Sequence, residues 1–258
     1  MLALSAMSAE RLSARQVAEG LRQQIAAGYY HPGQALPSQR RLAQELGVSL
    51  AIVRQALDEL RNEGLVIPER GAGVFVRKPP PIIRRSGPER FQRRDRAAGL
   101  AALEAEMQRL GRSWKLEAIE VSRGEPPTDV LERLQLPAGS QVVIRWRTYS
   151  VDGMPHQVAT SFIPLRFAEG TPIERTDTGP GGTYARLEER GFHIDRFEEE
   201  ITGRMPTPQE RDLLRIPAGV PLLRVLRTAY SDEFGALEVA ESLYPADRVV
   251  LVYPWPAQ

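Results

Sequence analysis

The sequence predicts an α+β chain of two domains. A small N-terminal helical domain is closed by a β-hairpin, and a larger C-terminal domain is built on an antiparallel sheet with an internal two-fold repeat. Three observations lead there. Ala14 to Val76 reads as helix, loop, helix, tight turn, helix and glycine-turned hairpin. A block around Leu134 returns about 80 residues later around Leu214. Charge is split along the chain: residues 1–96 carry 16 basic and 9 acidic side chains (+7), residues 97–258 carry 18 and 24 (−6). A basic head on an acidic body suits a nucleic-acid reader joined to a domain with another task.

The N-terminal elements have local causes. Ser13 can cap a first helix, with Gln16 three residues on completing a capping box. Val17, Leu21 and Ile25 form its apolar stripe and Gly28 ends it. Tyr29 to Pro37 reads as a loop, because Pro32-Gly33 is turn chemistry and Leu36-Pro37 enforces an extended approach. Ser38 caps a second helix that buries Leu42, Ala43 and Leu46, and Gly47 breaks it. Ser49 caps a third, whose inner face is Ile52, Val53, Ala56, Leu57 and Leu60, and Gly64 stops it. Leu65–Ile67 and Val74–Val76 are short β runs, with Pro68 to Gly73 as the hairpin tip. That order is a winged helix-turn-helix, in which the helix after the tight turn enters the major groove.

The outward residues decide its chemistry. Ser38, Gln39 and Arg40 open the second helix, and Ser49, Leu50, Ala51, Arg54 and Gln55 open the third. Free amides and short polar caps at helix starts suit phosphate oxygens. Arg40 and Arg54 have the reach for a bidentate contact to guanine. Arg70 and Gly71 at the wing tip suit the minor groove or its flanking phosphate. The alternative is a merely solvated surface, since only Lys78 and Lys115 among 34 basic residues are lysine and arginine is this chain's default cation.

The run Pro32-Gly33-Gln34-Ala35-Leu36-Pro37-Ser38-Gln39-Arg40-Arg41-Leu42-Ala43 resembles the signature of GntR-family bacterial regulators. Leu46-Gly47-Val48-Ser49, Val53 to Leu57, Glu63 to Val66 and Arg70 to Val76 continue the resemblance. It implies a dimeric, ligand-responsive transcription factor, with Arg40, Ser49, Arg54 and Gly71 on the family's usual DNA contacts. Two positions depart. The family commonly has arginine after the Val-Ser pair and threonine two residues later, where this chain has Leu50 and Ile52. Leucine cannot hydrogen-bond a base, but it can pack on a thymine methyl.

The boundaries follow. Residues 1–13 are expected to be a disordered N-terminus, 14–78 the DNA-binding domain, 79–96 a linker and 97–258 the second domain. Pro79-Pro80-Pro81 cannot continue a strand, and residues 82–96 hold six arginines. That segment reads as a basic linker that either touches DNA backbone or serves as a solubilising connector. Arg93 to Gly111 then reads as one helix, with Leu100, Leu103, Met107 and Leu110 on one side.

In the second domain Leu134 to Gly139 returns as Leu214 to Gly219, Arg147-Thr148 as Arg227-Thr228, and Val158 to Pro164 as Val239 to Pro245. The spacing is 80 and then 81, placing a one-residue slip near Tyr149. Each copy reads as short helix, Pro-Ala-Gly turn, strand, polar turn, strand. Between the copies, Thr183 to Arg190 reads as a helix capped by Thr183. This half resembles the UTRA ligand-sensing domain of the HutC subfamily. The resemblance is carried by Arg145-x-Arg147, Asp152 to Pro155, Ser161 to Pro164, Gly182-Thr183-Tyr184, Arg204-Met205-Pro206, Glu238 and Tyr244 to Arg248. It implies a chorismate-lyase-like fold, dimerisation, and a small metabolite held between the two halves. By position, Arg145, Arg147, Ser161, Thr183 and Tyr184 fall in the effector site, with the two guanidiniums and Thr183 on an anionic group. Glu238 and Tyr244 would hold hydroxyls. Ala159 stands where many sugar-phosphate sensors have glutamate. The alternative for Arg145 and Arg147 is a cross-strand ion pair with Glu238 or Glu241.

Other classes find less support. There is no cysteine, hence no disulfide and no thiolate nucleophile or metal site. His31, His156 and His193 show no metal spacing, and no Gly-x-Ser-x-Gly or Walker motif is present. No catalytic residue, metal or cofactor is expected. No run approaches the roughly 20 apolar residues of a membrane span. Met1 to Met7 lacks a basic n-region, so the expectation is a cytoplasmic protein without a signal peptide, with Met7 a second candidate start. The reading is a repressor that binds pseudo-palindromic operator DNA as a homodimer and responds to a small anionic metabolite. Its alternatives are a repressor whose second domain mainly dimerises, and a chorismate-lyase-like enzyme fused to a DNA-binding domain.

Overall fold

The structure is a computed structural model that describes residues 12–69, 71–87 and 89–257. The expected disordered N-terminus therefore lies almost wholly outside the described residues, as do Met7 and Arg70. The chain divides into two compact units, one comprising the described residues up to Pro81 with 215–220, the other 82–214 with 221 onward.

In the first unit α1 (Ala14–Ala26) starts at a complete Ser13/Gln16 capping box. Helix α2 (Gln39–Leu46) starts where the Ser38 hydroxyl accepts from the Arg41 amide, and it ends on Gly47 at φ 64°. That left-handed turn costs little in glycine and swings the chain into α3 (Leu50–Asn62). The Ser49 hydroxyl caps α3 by accepting from the Ile52 amide. Val17, Leu21, Leu42, Val53, Ala56, Leu57 and Leu60 are buried together, with Ile25, Ala43, Leu46 and Ile52 packed against them. Arg22 of α1 ties down the end of α3, donating from Nε and Nη2 to Glu63 at 2.9 and 2.5 Å.

The wing differs from expectation in two ways. Strand β1 (Val66–Glu69) includes Pro68, which pairs opposite Val74 of β2 (Gly73–Val76), so the tip begins only after Glu69. The segment before α2 is more than a loop: Ala35 bridges Phe75, the Gly33 and Leu36 amides donate to Val76 and Val74, and Val76 returns a bond to Gln34. It forms a third line of pairing, too short to show a period of two.

The second unit holds a six-stranded antiparallel sheet in the order β4-β5-β6-β9-β8-β7. The strands are β4 (Trp114–Gly124), β5 (Val142–Val151), β6 (Met154–Pro164), β7 (Arg196–Arg204), β8 (Leu222–Ser231) and β9 (Gly235–Pro245). The duplication is larger than its sequence signal, because each copy is strand, helix, strand, strand. Helix α6 (Thr128–Leu134) lies between β4 and β5, and α9 (Pro208–Leu214) between β7 and β8. The leading strands β4 and β7 escape the sequence reading because they are sheet edges, largely exposed and rich in charge. The copies agree in backbone detail. Gln135 and Arg215 are both left-handed (φ 52° and 47°), as are Gly139 and Gly219 (81° and 83°). Both hairpins bulge at equivalent places, after Tyr149 and Ala229. The extra residue of the second copy therefore lies not near Tyr149 but in the turn: Asp152-Gly153 in one copy, Asp232-Glu233-Phe234 in the other.

The copies meet at β6 and β9. Thr160 pairs with Glu241, its own counterpart, flanked by Ala159 with Ser242 and Ser161 with Ala240. A pseudo-two-fold axis thus passes between Thr160 and Glu241. One sheet face is covered by α6, packed on β9, and by α9, packed on β6, so each copy's helix lies over the other copy's strand. The other face carries α7 (Leu165–Ala168), a 3-10 turn at Pro172–Glu174 and α8 (Gly182–Glu189), which bury Phe167, Ile173 and Leu187 against Val143, Ile163 and Leu237. Helix α8 is capped by Gly181 at φ 77°, with no side-chain cap, so Thr183 sits inside the helix rather than capping it.

The expected linker is largely structured. Ile83–Ser86 forms β3, pairing in parallel with β10 (Val249–Val252). The single expected helix is two, α4 (Arg93–Ala97) and α5 (Ala102–Leu110), broken at Gly99 (φ 81°). Three of the six arginines are buried in ion pairs. Arg85 donates from Nε to both Glu106 oxygens at 2.9 Å. Arg90 pairs with Glu199 at 2.5 Å, and Arg96 with Glu188 at 2.8 Å. Neither expectation for this segment, contact with the DNA backbone or a solubilising connector, describes those three side chains.

The Arg85–Glu106 pair is almost fully buried, about 5% exposed on each side. Truncating one partner leaves the other charge buried and alone, which costs about 3–5 kcal/mol. Glu106→Ala should lower the urea midpoint of the second unit accordingly, and replacing Arg85 by Met together with Glu106 by Leu should recover most of the loss.

Candidate functional site

Two groups of side chains stand out, one in each unit. In the first, the Ser38 and Ser49 hydroxyls are exposed and already act as helix caps. Arg40, Leu50, Ala51, Arg54, Gln55 and Gly71 are exposed, and Gln39 is half-buried. Arg54 Nε donates to Gln39 Oε1 at 3.3 Å, so the starts of α2 and α3 are coupled on one surface. Arg41, next to Arg40, is instead drawn to Glu45 at 2.7 Å, which holds its pKa above the ordinary value. Leu50 is 38% exposed, a large apolar side chain in the first turn of the helix that would enter the groove. Gly71 stands at φ 80° in the wing tip.

In the second unit a cavity of about 320 Å³ opens on the sheet face that carries α8. All seven residues expected at an effector site line it: Arg145, Arg147, Ser161, Thr183, Tyr184, Glu238 and Tyr244. The sheet explains the convergence. Arg145 and Arg147 alternate on β5, Ser161 sits opposite Arg145 on β6, and Glu238 and Tyr244 lie along β9. The cavity straddles the pseudo-two-fold axis, and its floor is made of repeat counterparts: Arg147 with Arg227, Gln157 with Glu238, Ala159 with Ala240, Ser161 with Ser242. Sequence reasoning had found the Arg147–Arg227 repeat yet named only Arg147. The repeat itself was the signal for Arg227, Gln157 and Ser242.

The two halves are not equivalent electrostatically. In the second copy Tyr184 donates to Glu238 at 2.5 Å and accepts from Arg227 Nε at 3.0 Å. Arg227 also lies 4.0 Å from the Phe91 ring centroid. Burial pushes the Tyr184 hydroxyl well above its usual range, so it stays protonated and donates. Burial alone would lower the Arg227 pKa, but Tyr184 and Glu238 outweigh it and the net shift is upward. This half is a closed, satisfied network.

The first copy is different. Arg145 is 2% exposed and donates to the backbone carbonyls of Ile173, Arg175 and Thr176. Burial, then repulsion from Arg147, lowers its pKa to about 10. Arg147 reaches Ser161 Oγ through Nη2. The Nε atoms of both arginines are buried without a hydrogen-bond partner. The alternative of a cross-strand pair with Glu238 or Glu241 does not hold: Glu238 serves Tyr184 and Arg227, and Glu241 pairs with Arg224 at 2.5 Å. Two cations that form no ion pair with the Glu104, Asp177 and Glu238 carboxylates sharing their cavity, beside the first turn of α8 and its partial positive charge, make an anion-accepting corner. The remaining walls hold Arg85, whose guanidinium lies 4.9 Å from the Tyr244 ring centroid, and a cluster from β4 and β5 of Trp114, Leu116, Ile119 and Tyr149. Among the described residues no cluster of His, Asp or Glu has the arrangement of a metal site, and no helix is long and apolar enough to cross a membrane.

Comparison with known proteins agrees with both halves. Residues 13–76 match the model for bacterial regulatory proteins of the gntR family, and residues 109–250 match the UTRA domain. The chain is 31% identical over 245 residues to the HTH-type transcriptional regulator SCO4628 of Streptomyces coelicolor, covering 93% of this chain and 91% of that one. It is 28% identical to the HTH-type transcriptional repressor NagR of Bacillus subtilis, covering 92% of each. Among solved structures, a GntR-family transcriptional regulator superposes with a TM-score of 0.69 at 27% identity, covering 95% of this chain and 98% of that one. PhnF of Mycobacterium smegmatis does so at 0.56 and 25%, covering 94% and 100%. The chain therefore belongs to the GntR family of bacterial regulatory proteins, a DNA-binding transcriptional regulator of the HutC architecture whose C-terminal part is a UTRA domain.

Proposed function

We propose that the protein is a repressor that binds a pseudo-palindromic operator as a homodimer and is released or altered when a small anionic metabolite enters the UTRA cavity. The observation that carries the effector half is the anion-accepting corner at Arg145 and Arg147, one buried and one half-buried arginine whose Nε atoms are buried without a hydrogen-bond partner and which form no ion pair. Relatives named as repressors, NagR and PhnF, support the sign of regulation. On DNA, α3 would enter the major groove, Arg54 would read a base edge, and the Ser38 and Ser49 helix starts would meet phosphates. The expected tip contact by Arg70 stays part of this reading, with that residue outside the described ones.

Strand β3 offers the transmission route. It begins two residues after Pro81 in the chain, and its Arg85 lines the effector cavity while holding Glu106. An anion that draws Arg85 or closes on Arg147 would shift β3 and bias how the DNA-binding units are presented. The cavity's closed Tyr184–Glu238–Arg227 network offers no free base or nucleophile, which favours binding over turnover and speaks against the chorismate-lyase-like alternative.

Selection of bound sequences from random duplex DNA should enrich an inverted repeat. Arg54→Ala should weaken binding to the winning duplex by at least about tenfold, the scale of one lost bidentate contact. Leu50→Arg should change the base preferred at one position of each half-site. No enrichment, or the same winners with Leu50→Arg, would contradict the placement of α3. In gel shifts with fractionated cell metabolites, a fraction should release the wild-type protein and leave Arg147→Gln on the operator, with equal affinity in its absence. Release of both proteins alike would remove Arg147 from the effector site.

A further inference from the structure

The chemistry that remains unpaired in the cavity narrows the effector further than its charge. Several polar groups on the floor already have one partner inside the protein. Gln157 Nε2 donates to Ser242 Oγ at 2.9 Å, Ser161 accepts from Arg147, and Glu238 accepts from Tyr184 and lies 3.6 Å from Arg227 Nη2. At the rim Glu104 accepts from the Ala101 amide and Asp177 from the Gly179 amide, and Thr176 and Thr178 stand on the segment leading to α8. The centre of the floor is a pair of methyl groups, Ala159 and Ala240, paired across the axis with Ser242 and Ser161. A polyhydroxylated ligand lying there would exchange water for methyl groups at the centre of the floor and would compete with the protein's own bonds at Ser161, Ser242 and Glu238.

The side wall is of the opposite character. Trp114, Leu116 and Ile119 of β4 and Tyr149 of β5 face the cavity together. The bulge between Leu116 and Ala118 keeps Ile119 on the same face as Trp114 and Leu116. The Trp114 and Tyr149 rings lie 6.4 Å apart and tilted by 54°, and Leu116 is 38% exposed. An aromatic and aliphatic wall left open beside a cationic corner is a two-part receptor. Its volume, about 320 Å³, is at the lower end of small-molecule sites and admits one ring system with a short acidic arm.

We infer that the effector is a small amphipathic acid, a carboxylate or phosphate on an aromatic or compact apolar body, whose head meets Arg147 and Arg145 and whose body packs on Trp114, Leu116 and Tyr149 over the Ala159–Ala240 floor. This rests on the reading of the cavity as the effector site and specifies its ligand class, apart from the sugar phosphates.

The test is titration calorimetry of the full chain with phenylacetate, 4-hydroxybenzoate, indole-3-acetate, phenyl phosphate, glucose 6-phosphate and inorganic phosphate. At least one aryl acid should bind, and glucose 6-phosphate and inorganic phosphate should neither bind comparably nor compete. Trp114→Ala and, as a variant at a more exposed site, Leu116→Ser should each weaken the aryl acid about tenfold or more. Arg147→Gln should do the same. Binding of the carboxylates against phenyl phosphate separates the two head groups. Glucose 6-phosphate that binds through Arg147 and is indifferent to Trp114 and Leu116 would overturn the ligand class while leaving the effector site standing. Failure of every probe would overturn the class and the effector-site reading together.

Discussion

The pairing of β6 with β9 is the constraint on which the second unit depends. Both strands come from the middle of the sheet, and Thr160 meets its own counterpart Glu241 across the axis. Because side chains alternate along a strand, this register fixes which residues of both copies share a face. Ala159, Ser161, Ala240 and Ser242 are thereby placed on the cavity side, and Phe162 and Val239 on the side covered by α6. A one-residue slip would exchange the two sets, burying serine under the helices and exposing phenylalanine to the cavity. The crossing of α6 onto β9 and α9 onto β6 opposes such a slip, since each helix is tethered to one copy and packed on the other.

Duplication supplies a symmetric frame, and sequence divergence makes it asymmetric. Gln157 in one copy is Glu238 in the other, and of the counterpart arginines Arg147 and Arg227 it is Arg227 that has a carboxylate within ion-pair distance. The result is one half that stabilises itself and one half that is left with cationic capacity to spare. Desolvating Arg145 without a carboxylate partner is unfavourable, as the downward shift of its pKa to about 10 shows. Such groups persist in a fold when something else, here three backbone carbonyls and in the proposed function an anion, meets the charge.

Much of this was legible in the sequence because the responsible forces are local. Caps at Ser13, Ser38 and Ser49, the Gly47 turn and the period of Val53, Ala56, Leu57 and Leu60 depend on a few neighbouring residues. Repeat positions around the hairpins survive because turn glycines and inward strand residues tolerate little change. What was not legible is nonlocal. Strands β4 and β7 lie at the edges and carry charge, so no apolar alternation announces them. Strand β3 is arginine-rich and finds its partner β10 more than 160 residues away, which made it look like a linker. The arginines of this strand and of the residues up to 96 read as solvated until Glu106, Glu199 and Glu188 are seen opposite Arg85, Arg90 and Arg96. The cap on α8 fell to Gly181 instead of Thr183 because the preceding glycines permit a left-handed entry that sequence rules rank below a threonine cap.

Amide hydrogen exchange of the full chain, followed by mass spectrometry with and without a bound effector, tests the central claim that the cavity's state is carried by β3. The account predicts altered protection in three places: residues 176–184 at the cavity rim, 83–86 in β3, and the paired strand Val249–Val252. Protection confined to the cavity rim, with β3 and β10 unchanged while operator binding is lost, would contradict it.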